Sequence, residues 1–124
     1  MTTKNVSIST EEIAVTLTVR RATFHDQVQR DILISRAVEE SYPDDATRTI
    51  AVVLHPRAVA CIEPDGLISY PNGYTIKPDE ITAAQFAALS PEVAQAWLDA
   101  VWEINPRWMP GFGVEPAPEQ EKKA

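Results

Sequence analysis

The sequence predicts an α+β domain, mainly α-helical, with an N-terminal β-hairpin or strand pair followed by three to four helices. Three observations predict it. Residues 13–19 alternate apolar and small or polar side chains, which is the period of a half-buried strand. Residues 23–41 and 91–104 step their apolar side chains by three and four, the period of a helix. Punctuation by proline, asparagine and glycine separates these stretches. At 124 residues the chain is the size of one domain, and its 44% hydrophobic content argues against a disordered chain. We expect a single globular domain over 1–110 and a flexible, acidic, proline-rich tail over 111–124.

The first strands are read from Val6 and Ile8, and from Ile13, Val15, Leu17 and Val19, with polar Thr10–Glu12 between the two runs. The helix over 23–41 starts at Thr23 and Asp26, an approximate capping box, and ends at Tyr42-Pro43. Its apolar stripe is Phe24, Val28 and Ile32, continued by Ser35 and broadened by Leu33 and Ala37.

Asp44-Asp45 before Thr47 suits a helix start. Residues 50–62 fit two helical pieces kinked at Pro56, or two buried strands; the helical reading is favoured. Glu63-Pro64-Asp65-Gly66 stops that segment. Asn72-Gly73 can turn a small hairpin, Leu67–Tyr70 against Tyr74–Ile76, although a packed loop or flap fits equally. A short helix over Ile81–Leu89 follows. Ser90-Pro91-Glu92 then opens a helix that runs to Asn105-Pro106.

On that last helix Val93, Trp97, Val101 and Ile104 share one face. Trp102 pairs with Leu98 and lies roughly 140° around from Trp97 at about 100° per residue. All three tryptophans, Trp97, Trp102 and Trp108, fall within twelve positions. Trp97 belongs to the core. A single contact with a small core covers one stripe, so the second stripe is either covered by loops and tail or left to anchor a partner. On the partner reading, Leu98, Trp102 and Trp108 form the groove, with Phe86 beside them.

No catalytic, cofactor or metal site is named by the sequence. His25 and His55 are the only histidines, and neither has a partner at metal-ligand spacing. Cys61 is alone and reads as a buried apolar thiol. A single cysteine also excludes an intrachain disulfide. The net charge of −7 lacks the footprint of a nucleic-acid binder. The apolar runs Ile50–Leu54 and Ala58–Ile62 are too short to span a bilayer, and the polar start MTTKNVSIST is unlike a signal peptide. Arg20, Arg21, Arg30 and Arg36 cluster around the first helix; Arg30 can pair with Asp26, and Arg36 with Glu39 or Glu40, unless they form a docking patch.

The ordered combination of VTLTVRRATFHDQVQRDILI, a middle helix with a His-Pro kink, and FAALSPEVAQAWLDAVWEINPRW resembles the tail assembly chaperones of long-tailed (siphovirus-type) bacteriophages and prophages. The resemblance covers most of residues 13–108. It implies a non-enzymatic protein that coats the tape-measure protein, helps recruit tail-tube subunits in the bacterial cytoplasm, and leaves before the virion is complete. It also implies a longer product made by frameshifting, with which the adjacent lysines of Glu-Lys-Lys-Ala agree. Self-association is left open, and neither nucleic acid nor membrane is an expected partner. The alternatives are a structural tail or neck component retained in the virion and a small ligand-binding domain.

Overall fold

A computed structural model describes residues 2–111, and most of the expected tail lies outside them. The fold is α+β, with about 49% of the described residues helical. Two strands, β1 (Thr3–Ser9) and β2 (Ala14–Arg20), form an antiparallel hairpin with Ser9 opposite Ala14. Thr10 closes the turn: its amide donates to the Ile13 carbonyl at 2.8 Å, and its hydroxyl accepts from the Glu12 and Ile13 amides at 3.2 Å. The alternation has its expected result. Val15, Leu17 and Val19 are buried on one face, while Ala14 and Thr16 are exposed on the other.

The next element, α1 (Phe24–Ala37), ends four residues before the expected position 41. Val38 caps it in helical geometry, and the Tyr42 hydroxyl donates to the Ala37 carbonyl at 2.7 Å, giving one terminal acceptor a partner. Residues 45–59 are helical throughout. They comprise α2 (Asp45–Thr49), a π-helical turn (Ile50–Leu54) and α3 (His55–Val59). Asp44 caps α2 by accepting from the Thr47 amide at 2.7 Å.

The helical reading of this segment therefore holds, with a widened turn in place of a simple kink. The reason is Pro56. Its ring would clash with the carbonyl four residues back, and it has no N–H to donate. In the π turn the His55 amide reaches back five residues, to Ile50, which opens the ladder just before the proline. The Arg57 guanidinium donates to the Val53 carbonyl in the same stretch at 2.9 Å.

The segment after Gly66 is no free flap. β3 (Leu67–Ser69) pairs with β2, and β4 (Thr75–Ile76) pairs with β3, so one antiparallel sheet has the order β1-β2-β3-β4. The hairpin turns where Asn72-Gly73 signalled it. The Gly73 amide donates to the Tyr70 carbonyl at 3.0 Å, and Gly73 takes a positive φ of 90°, open to glycine without steric cost.

A short 3-10 turn (Pro78–Glu80) leads into α4 (Ala83–Ala87), whose Thr82 and Gln85 form a reciprocal capping box. Then α5 (Pro91–Ile104) runs to the predicted stop, followed by a 3-10 turn (Pro106–Trp108). Ser90 holds the position before α5 with extended backbone, but its buried hydroxyl has no hydrogen-bond partner. The start is carried by Pro91 and backbone geometry, and the serine hydroxyl does not cap it.

The core lies between the inner face of the sheet and α5. Trp97, fully buried, packs its ring edge-on against Phe86 at 5.1 Å and donates from Nε1 to the Ala58 carbonyl at 3.0 Å. That bond satisfies the one polar atom of the indole in an otherwise apolar setting.

Candidate functional site

The four residues expected to anchor a partner do not form an exposed ridge. Phe86, Leu98 and Trp108 are buried, at 3%, 7% and 7% exposure, and Trp102 is half-buried against the core. The exposed-anchor reading is therefore corrected: Leu98 and Trp108 are covered, and Trp102 in part, although the cover on α5 comes from packed strands and helices. The physical reason is the position of α5. It is a central element with β1 and β2 on one side and α3 on another, so it buries an arc about 160° wide, at about 100° per residue, from Ala100 round to Leu98.

Trp108 is folded back by the 3-10 turn. The Arg30 guanidinium lies 4.8 Å above its ring, and Arg57 Nε donates to its carbonyl at 3.0 Å. Arg57 was not among the arginines singled out from the sequence. A lone basic residue two positions after a histidine gives no signal of a partner 51 positions away.

An apolar ridge does exist, on α1. Phe24 is 79% exposed, and Val28 and Ile32 are each 39% exposed. These three residues begin the apolar stripe seen in the sequence, which Leu33 and Ala37 broaden. The side of α1 turned inward carries Asp26, buried, with Leu33 and Ala37 half-buried, and packs on the π turn and α3. At about 100° per residue the centres of the two sides are roughly 160° apart. The helix thus presents its most regular apolar stripe to solvent.

Asp26 sets that rotation. Thr23 and Asp26 form the capping box, with the Asp26 amide donating to Thr23 Oγ1 at 3.2 Å and the Thr23 amide donating to Asp26 Oδ2 at 3.1 Å. The same carboxylate receives Arg20 Nη2 at 2.8 Å and Nε at 3.1 Å, a two-point pairing. Burial pushes the Asp26 carboxyl up, but the bonds from Arg20 and Thr23 outweigh it, and the group sits below the usual aspartate range. Arg20 also donates from Nη1 to the Ile62 carbonyl at 2.8 Å and to Glu63 at 3.0 Å, tying α1 to the segment beyond α3.

The expected Arg30–Asp26 pair is absent because Asp26 is held by Arg20; Arg30 contacts Asp31 at 3.0 Å instead. Neither proposed Arg36 pair is present.

Asn105 fixes the same corner from the other end of the chain. Its side chain accepts from the Ala22 amide at 2.8 Å and donates to the Arg20 carbonyl at 2.9 Å. In the sequence Asn105 reads only as the residue before a helix-stopping proline. In the fold it satisfies two partly buried backbone groups of the β2–α1 link. Beside it, a cleft of about 540 Å³ opens at the Phe24 end of the stripe, lined by Arg21, Phe24, Gln27, Asn105, Arg107 and Trp108 among others.

The remaining candidate groups do not converge. His25 is 87% exposed in its side chain. His55 Nε2 lies 2.6 Å from the Ile81 carbonyl; an oxygen there can only accept, so this nitrogen carries the proton. Burial lowers the His55 pKa more than that bond raises it. Cys61 is buried, its thiol pushed up to about 12 mainly by burial. Among the described residues no group of three or more His, Cys, Asp or Glu side chains is placed to hold a metal, and no helix is long and apolar enough to cross a membrane. Comparisons with protein-family models, curated proteins and solved structures find no match for this chain.

Proposed function

We propose that this protein is a polypeptide-binding module whose docking surface is the outward stripe of α1, and that it acts as a phage tail assembly chaperone. On this reading it holds an amphipathic helical segment of a tape-measure protein and helps recruit tail-tube subunits. It leaves before the particle is finished. One observation carries the binding reading: Phe24, Val28 and Ile32 stand exposed on a well-anchored helix, opposite the side that packs on the domain. The chaperone reading adds the sequence resemblance set out above.

A regular stripe of this kind suits a client helix laid along it. Covering a side chain as exposed as Phe24 is worth about 1.5–3 kcal/mol if it is fully buried, and Val28 and Ile32 add smaller shares. The acidic balance of the chain keeps such an apolar surface in solution.

Co-expression with fragments of a tape-measure protein tests the proposal. A wild-type chain should co-purify with a helical fragment. Val28→Asp should lose it while unfolding within about 0.5 kcal/mol of wild type, as surface changes usually do. Phe24→Ser should behave alike. Capture retained by both variants would refute the α1 surface, and loss confined to Trp102→Ala would move the site back to α5.

A further inference from the structure

We infer that the α1 stripe also fits a second copy of itself, so that two chains pair through antiparallel α1 helices when no client is present. The inference rests on the reading of this stripe as a docking surface and adds a competitor for it. Two features of the stripe favour a second copy.

The first is size. From its start the stripe runs Phe24, Val28, Ile32, Ser35: a large side chain, two of middle size and a small one. Laid against its own reverse about a two-fold axis between Val28 and Ile32, each Val28 meets an Ile32, and each exposed Phe24 meets the exposed, small Ser35 of the second copy. A two-fold interface must be complementary to itself, and this order of sizes is.

The second is charge. Arg21 and Arg107 line the cleft with Phe24 at the start of α1. Beyond its end lie Glu39, Glu40, Asp44 and Asp45, all exposed, with Arg36 and Arg48 as the nearby bases. An antiparallel arrangement brings the basic start of each copy to the acidic end of the other. A parallel one would set like charges together. The net charge of −7 opposes association at long range, but that field is screened within roughly 8 Å at physiological ionic strength, whereas close pairs across the contact persist.

One helix-on-helix contact buries less than the roughly 1,600 Å² of a standard interface, so the pair is weak and gives way to a client that covers more.

Sedimentation equilibrium of the full chain, from micromolar to millimolar concentration, tests this. Wild type should pass from monomer to dimer with no larger species. Val28→Asp should remain monomeric with an unchanged melting curve. Arg107→Glu and Glu39→Arg should each weaken the dimer about threefold to tenfold, and the two together should restore it. A chain that stays monomeric throughout overturns the inference, while client capture by the α1 stripe would still stand on co-purification. A dimer untouched by Val28→Asp, or a charge swap that fails to restore pairing, overturns it equally.

Discussion

Asp26 is a residue whose protonation decides how α1 sits. Its carboxylate is nearly sealed from solvent and engaged by Arg20 and by the Thr23 amide, so its folded pKa lies below the unfolded value of about 3.9. A carboxyl depressed in this way contributes its full stability above that unfolded value. The contribution is lost as pH falls from there through the lower, folded pKa. Asp26→Asn should therefore cost about 2–4 kcal/mol at neutral pH, since it removes the charge of a largely buried pair and turns an amide N–H2 toward the Arg20 guanidinium. It should also flatten the decline in stability below about pH 4. Urea melts of both chains across that range give the measurement, and an equal acid decline in the two would assign the effect elsewhere. At the same scale Trp97→Ala should cost about 3–5 kcal/mol, because it empties the centre of the core and orphans the Ala58 carbonyl. Thermal or urea unfolding checks it, and a cost below about 1 kcal/mol would deny Trp97 that central role.

Elements were legible wherever their pattern was local. The strand alternation of 13–19, the Thr23 and Asp44 starts, the Asn72-Gly73 turn and the Pro91–Ile104 helix all follow from residues within one or two turns of each other. The rotation of a helix is a different matter. The stripe of α1 was visible in the sequence, yet the side it shows the domain depends on Arg20, Ile62 and Glu63, which no periodicity connects. On α5 the outcome ran the other way, since two apolar stripes imply exposure only if one neighbour is assumed. The pairing of β2 with β3 was hidden for the same reason, as it joins residues some fifty positions apart. That pairing makes a prediction of its own. A Cβ at Gly66 would fall 2.4 Å from the Thr16 carbonyl oxygen, closer than atoms can approach, and the backbone there cannot yield without parting β2 from β3. Gly66→Ala should destabilise by about 1–3 kcal/mol and speed amide exchange in Leu67–Ser69 before the rest of the sheet. A melt within error of wild type would show that the strands can shift to make room.

For the whole molecule, the core and the proposed docking surface are separate, and this separation makes the proposal testable. All three tryptophans serve the interior or its border, while Phe24, Val28 and Ile32 lie outside the core cluster. The candidate surface was thus half visible beforehand. Its residues were named as an apolar stripe but not as a surface, because a sequence shows which side chains share a stripe and does not show what lies opposite.

The widened turn at Ile50–Leu54 has one more consequence. A turn of that kind holds one residue more than an ordinary helical turn. Removing a single residue from it would take away the room it gives Pro56 and would swing everything after it by about 100°. Arg57 would then leave the Trp108 carbonyl, and Ala58 would turn away from the Trp97 indole. The count of residues in this stretch therefore matters as much as their identity: it works as a spacer that indexes the second half of the helical run against the far end of the chain.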